Sequence, residues 1–416
     1  MHDAVAAPPG GGVAAGTPAL IVEIDFANDP TVTTRTWTDV TSDVREITYV
    51  LAGRQHELQR TEAGTLTMVL NNRHGNYDPT NTTGAYYPNV KRTRWIRVRS
   101  VWNSVVYPEW QGLIEGYSGE WPAVGKDATV TVHAADGFKP LNLLDLNGYS
   151  YPQQSTGARV AAVGADAKVQ IGSVDVGVAT LPAITFTNAT TALSHLQAIE
   201  DTEAGLIFMA ADGSLTFHDR HHRPLNNSTP VAIIGDNATE IPYSGRTYSE
   251  LEDSNIWNDI VVTPAQEAGN PDQPTPSQVQ NAASIAAHYR RTLSKTLLSE
   301  SPLEALSAAQ FYASLYAEPS LRIPICELVG RADSTQWPFI LGAGNSDRFT
   351  WKRRPSTEAG TRTITLPVYV ERKSTSITVG TDWRVQLQFS PASDVLFWRI
   401  GITGSSELGL TTALQY

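Results

Sequence analysis

The side chains best placed for chemistry sit in two short stretches. The first is NNRHGNYDPTN, residues 71–81, which packs His74, Tyr77, Asp78 and four Asn into eleven positions. Its Asn and Asp oxygens invite comparison with a calcium loop, in which several carboxylates and a closing bidentate Glu surround the ion. Here one carboxylate, Asp78, is present and the closing Glu is missing, which is too little negative charge for a good calcium site. Turn chemistry, by contrast, is complete. Asn71, Asn72, Gly75 and Asn76 tolerate left-handed φ, Asp78 can bond its own backbone, and Pro79 fixes φ.

The second stretch is FHDRHHRP, where His218, His221 and His222 beside Asp219 have the donor types of a metal site. On a strand His218 and His222 share a face and His221 does not. No second cluster completes a ligand set, so a polar strand end running into a turn at Pro224 is the better reading. No GxSxG elbow is present, and Ser, His and Asp occur without a recognisable triad context. The Trp residues are dispersed through strand-like runs, with no aromatic groove tied to an acid as a glycosidase would need. PPGGGVAAG is Gly-rich, but it lacks a preceding strand and the P-loop Lys. The expectation is therefore a protein without catalytic residues, metal or cofactor.

The elements around these stretches are mostly strands. The 416 residues suit about two to four packed units. A composition of 41% hydrophobic and 18% charged residues is that of a globular chain, and its 31 Gly and 25 Pro favour short strands and turns. The formal charge of −11, with no basic stripe, argues against sequence-specific nucleic-acid binding. A single cysteine, Cys326, excludes internal disulfides and sits in the apolar run LRIPICELVG as a core residue. No apolar run approaches a membrane-spanning length. Residues 1–18 read as a mobile Ala/Gly/Pro arm, not a signal peptide.

Residues 19–145 read as strand after strand. Leu66, Met68 and Leu70 share one face, and Ile96 and Val98 lie opposite Trp95, Arg97 and Arg99. A closed barrel or small sandwich is expected. Residues 146–228 read as an α+β insert. Its main helix is expected to be capped by Asn188, to bury Leu193, Leu196 and Ile199, and to end at Gly205, before a hairpin around ADG. Residues 229–392 read as a second barrel with a long loop at 264–281, a strand in SIAAHYRRTLS and a helix at 302–318. Ser301, Pro302 and Glu304 form a capping box for that helix, whose apolar face begins with Leu303 and Leu306. Val385, Leu387 and Phe389 alternate with Arg384, Gln386 and Gln388, and residues 393–416 add a strand and a polar tail.

One resemblance covers residues 19–392. TEAGTLTMVLNNRHGNYDPTNTTGAYYPNVKRTRWIRVRS followed by YPEWQGLIEGYSGEW is similar to the minor tail proteins of phages with long non-contractile tails. More broadly, it resembles the tail-hub family, which includes the baseplate hubs of contractile tails. LSHLQAIEDTEAGLIFMAADGSLTFHDR looks like that family's helix and hairpin. SIAAHYRRTLS, the helix after Ser301, and YVERKSTSITVGTDWRVQLQFSP resemble its second barrel.

The resemblance implies a mainly β subunit of tail-hub architecture, with two tail-tube-like barrels and a small α+β domain. It implies a homotrimeric virion protein at the tail tip, assembled in the host cytoplasm and lacking an appended wall-cutting domain. Its implied partners are itself, the distal tail protein, the tape measure protein and tail fibre or receptor-binding proteins. Phage DNA passes without sequence-specific binding, and no stable membrane insertion is expected. Within this reading the loop carrying His74, Asn76, Tyr77 and Asp78, continuing to Tyr86 and Tyr87, is an interface loop. Two other readings stay open: a receptor- or carbohydrate-binding module using Trp102, Tyr107 and Trp110, and a cell-wall hydrolase.

Overall fold

The computed structural model describes residues 16–392 except 120–121, 124–126, 245–249, 252–254, 268, 330–334, 358–359 and 381, together with 396–397 and 412–413. Most of the N-terminal arm and of the C-terminal tail lies outside the described residues.

The strands that alternate in sequence alternate in space. Leu66, Met68 and Leu70 are buried, as are Val385, Leu387 and Phe389. Their strands belong to one twelve-stranded sheet. Antiparallel pairing runs through Val44–Val50, Thr65–Asn71, Thr129–Ala135, Val105–Gly119, Trp95–Trp102 and Ala19–Asp25. From the late part of the chain come Arg348–Arg353, Ile364–Thr378, Asp382–Pro391 and Ile325–Val329, also antiparallel. Ala232–Ile234 adds to Arg348–Arg353 in parallel.

The fifteen-residue strand Ile364–Thr378 joins the two groups. Its first part pairs with Arg348–Arg353 and its last five residues with Val44–Val50. The register against Asp382–Pro391 shifts between Val370 and Arg372, so Glu371 lies at a bulge. There the chain of Gly53 comes so close that an added Cβ would lie 2.3 Å from the Glu371 carbonyl oxygen.

The two expected closed barrels are not confirmed: among the described residues the sheet continues from one half into the other, with no closed ring of strands. A single apolar core follows it: Ile47, Met68 and Val132 belong to the same cluster as Trp337, Phe349 and Leu387. The local alternation of the strands was readable from sequence, but the seam pairs residues more than 300 positions apart, such as Tyr49 with Thr375.

A second core surrounds the helices Thr156–Asp166 and Ala192–Glu203 and the sheet of Gln170–Val174, Ser214–His218 and Leu206–Met209. Leu196 and Ile199 are buried in it as expected, whereas Leu193 is only partly buried. Thr191, not Asn188, caps the longer helix, accepting from Ser194 N at 3.2 Å. Ala204 takes the left-handed turn at its end. Gly205 follows because a Cβ there would meet the His218 carbonyl oxygen.

A third core is built by Asp259–Thr263, Ser277–Gln280, Thr292–Thr296 and the helix Pro302–Tyr316. The expected strand in SIAAHYRRTLS begins as the helix Ala282–His288, which Asn281 caps by accepting from Ser284 N, and only its end, from Thr292, enters the strand Thr292–Thr296. Its run of small helix-favouring Ala residues outweighs any strand pattern. Ser301 and Pro302 open the long helix as predicted. Glu304 leaves the box incomplete, accepting from Thr180 N at 3.2 Å instead. The buried face is Ala305, Ala308, Ala309, Tyr312 and Tyr316, and Leu303 is 78% exposed. Small residues let this helix lie close to its sheet, which a leucine stripe would not. No helix among the described residues is long and apolar enough to cross a membrane.

Candidate functional site

The loop at residues 71–81 is held by its own side chains. Asn72 Oδ1 accepts from Tyr77 N at 3.0 Å, Asp78 Oδ1 from Thr80 N at 2.8 Å, and Asn81 Nδ2 donates to the Gly75 carbonyl at 3.0 Å. Of the four residues that tolerate positive φ, only Gly75 uses it, at 65°. The Asn side chains act as hydrogen-bonding groups instead. Asn76 Oδ1 accepts from Ala85 N at 3.3 Å, tying the loop to its continuation.

The six candidate interface residues divide into two kinds. Tyr77 is buried, with its hydroxyl donating to Asp43 Oδ2 at 2.7 Å. Tyr86 stacks on Phe26 with ring centroids 4.3 Å apart and lies 5.3 Å from the Tyr77 ring. Tyr77 ties the loop to Asp43, just before the strand Val44–Val50, and Tyr86 ties it to Phe26, just after Ala19–Asp25. His74 and Tyr87 are exposed, while Asn76 and Asp78 are half-buried. Tyr77→Phe is expected to cost about 1–2 kcal/mol, because it removes the hydroxyl and leaves Asp43 without that donor. His74→Ala should change stability by less than about 0.5 kcal/mol. Urea denaturation of both variants checks the difference.

The histidines form a packing cluster. The His218 and His222 rings stack at 3.4 Å, His222 Nδ1 meets Asp175 Oδ2 at 2.7 Å, and His218 Nδ1 meets Ser346 Oγ at 3.0 Å. His222 opens the short helix His222–Asn226, which turns it back over the strand end. No group of three or more donors that could hold a metal occurs among the described residues. Burial, with His222 and Arg223 adding to it, pushes His218 down to about 3. Burial, with Arg159 nearby, pushes His195 down to about 4. Both stay neutral in the fold while the unfolded chain takes up protons below about 6.5. Stability should therefore fall as pH drops from about 6.5 toward 4. Thermal melts of His195→Gln and His218→Gln should show a flatter fall over that range.

The densest chemistry lies where the second and third cores meet the large sheet, around a cavity of about 290 Å³. Glu371, fully buried, accepts from Arg54 Nε at 2.7 Å, from Arg223 Nη1 and from Ser390 Oγ. Arg54 also donates to the Gly205 carbonyl of the second unit. Burial alone would raise the Glu371 carboxyl; Arg223 and Arg54 overcome it and hold it at about 2. Arg322 pairs with Glu57, and Asp201 with Arg60 and Lys295. A second buried set lies inside the large sheet. Lys373 Nζ donates to Glu109 Oε2 at 3.1 Å and to the Leu341 carbonyl at 2.8 Å. Tyr49 and Ser100 hydroxyls complete Glu109 at 2.9 and 2.6 Å.

Sequence reading missed both sets. A signal was present: Glu371 and Lys373 fall in step with Thr375 and Ile377, on the buried side of their strand. The three aromatics considered for sugar stacking are not presented as a platform. Trp110 is buried with Nε1 donating to the Val50 carbonyl, Trp102 packs toward Trp337, and Tyr107 is partly buried against the core.

Among solved structures the likeness is to tail proteins. A tail protein of Neisseria meningitidis matches with a TM-score of 0.55 at 10% identity, over 89% of this chain and 96% of that one. The chain shares the fold of that tail protein. The 43 kDa tail protein of prophage MuSo2 from Shewanella oneidensis matches similarly, with a TM-score of 0.54, 10% identity and the same shares of the two chains. A prophage tail protein of Listeria monocytogenes gives 0.50 at 8% identity, over 90% of this chain and 95% of that one. No protein-family model and no curated protein sequence matches the chain.

Proposed function

We propose that this chain is a structural subunit of a phage-type tail, a homotrimeric hub at the tail tip. The observation that carries the reading is the end-to-end fold likeness, 89% of this chain against 96% of the Neisseria tail protein. In this reading residues 19–145 and 229–392 are the two tube-like halves, and residues 146–228 are the insert between them. Three subunits with two halves each meet a six-fold tube. The hub joins the tube and distal tail protein to the receptor-binding or penetration apparatus, contacts the tape measure protein, and forms part of the DNA channel. It works by holding shape, without catalysis. A net charge of −11 suits a channel that must not retain DNA, because phosphate affinity comes from Lys and Arg. The exposed His74 and Tyr87 edge of the 71–89 loop faces a neighbour in the ring.

Native mass measurement of the purified chain, alone and with its distal tail protein, tests the proposal. A trimer, or a three-fold ring docked on a six-fold one, is expected. A chain that stays monomeric in both conditions overturns it. A strongly basic channel in an image of the assembled tip would remove the charge argument.

A further inference from the structure

Taking the chain as the ring-forming subunit proposed above, we infer that the loop carrying Tyr87, Lys91 and Arg92 docks on the acidic loop at 264–276 of a second copy of this chain. Charge is unevenly placed along the sequence. Residues 71–104 carry six cations, Arg73, Lys91, Arg92, Arg94, Arg97 and Arg99, against one acid, Asp78. Residues 247–289 carry six acids and no Lys or Arg. Most cations of the basic segment are used inside the fold: Arg73 pairs with Asp127, Arg94 with Asp29, and Arg97 and Arg99 with Glu23. Lys91 and Arg92 are exposed and form no ion pair among the described residues. Tyr87, on the same loop, is 44% exposed. Tyr and Arg are residue types that protein interfaces favour.

The acidic loop is the counterpart. It joins the strands Asp259–Thr263 and Ser277–Gln280. Glu267 and Asp272 are exposed on it and form no ion pair among the described residues. Gln266 Nε2 ties the loop together by donating to the Asn270 and Asp272 carbonyls at 2.6 and 2.7 Å. Pro264, Pro271, Pro274 and Pro276 restrict it further. The basic loop is also fixed, since Val90 is buried and Thr93 N donates to the Ile114 carbonyl at 2.7 Å. Two loops already held in shape lose little freedom on docking. Among the described residues no hydrogen bond or ion pair joins them within the chain. Two unlike surfaces on one subunit are what a head-to-tail contact requires, and such contacts can close into rings. A polyanion fits the basic loop less well: two unpaired cations give few phosphate contacts, and a net charge of −11 opposes its approach.

Sedimentation velocity of the full chain, alone and with its distal tail protein, tests the pairing at low and high salt. Self-association is expected to weaken as salt rises. Lys91→Glu combined with Arg92→Glu should raise the concentration needed for assembly by about tenfold or more, because like charges would then face each other. Glu267→Lys combined with Asp272→Lys should do the same, and all four changes together should restore assembly. Thermal melts should be nearly unchanged in every variant, because the positions are exposed. An unaltered chain that assembles, and that neither double variant weakens, overturns the inference and leaves the hub reading standing. Weakening in both double variants without recovery in the fourfold variant overturns it as well. A chain that stays monomeric even with its distal tail protein sinks the inference and the hub reading together. Binding of duplex DNA that is lost with Lys91→Glu and Arg92→Glu, while assembly is kept, would assign the loop to a polyanion instead.

Discussion

Glu371→Ala is expected to lower unfolding free energy by about 3–5 kcal/mol, the cost typical of removing one partner from a buried ionic group. The magnitude follows from what remains behind. Arg54 and Arg223 would lose the carboxylate they share, and Ser390 would lose its acceptor. Arg54 is bonded across to Gly205 and Arg223 to Ser346, so neither side chain is free to swing into water without breaking another contact. Glu371→Gln should cost less, because an amide oxygen can still accept one of these bonds. The same network predicts an acid response. With Glu371 held near 2 in the fold and near 4.5 when unfolded, its stabilisation is complete above about 4.5 and is lost as pH falls toward 2. Urea unfolding at neutral pH and near pH 3 checks both parts. A neutral-pH loss below about 1 kcal/mol for Glu371→Ala would show that water already screens the cluster through the adjoining cavity.

The difference between what sequence showed and what it hid is one of range. Leu66, Met68 and Leu70, and Val385, Leu387 and Phe389, announce strands through local alternation alone, and all six are buried. Ser301 and Pro302 announce a helix start within four residues. The continuous sheet depends instead on Tyr49 opposing Thr375 and Ile47 opposing Ile377, pairings that no local pattern carries. Likewise nothing local in VERK, at 370–373, names its partners, because Arg54, Arg223 and Glu109 arrive from distant parts of the chain. The same limit applies to the loop at 71–81. Its turn chemistry was legible because Asn, Gly and Asp act on their own backbone. The burial of Tyr77 was not, because it is fixed by Asp43 and by the stack of Tyr86 on Phe26.

Lys373→Met and Glu109→Gln should each destabilise by about 3 kcal/mol, while the double variant should cost clearly less than their sum. Each single change strands one member of a buried pair that spans 264 residues of sequence. Lys373→Met leaves the Glu109 carboxyl inside the sheet with, among the described residues, the Tyr49 and Ser100 hydroxyls as donors. Glu109→Gln leaves an ammonium with the Leu341 carbonyl and a neutral amide. Together the changes remove both charges, and Met fills much of the volume of the Lys stem. A coupling energy of about 1–3 kcal/mol is therefore expected from the four unfolding curves. Strict additivity would mean that the two charges act independently. The position gives the pair its consequence: Lys373 lies one residue before the segment of Ile364–Thr378 that pairs with Val44–Val50. Amide exchange along that segment should accelerate in each single variant and recover partly in the double. Loss of this bond would loosen the two groups of strands along their shared seam, while the hydrogen bonding within each group remains.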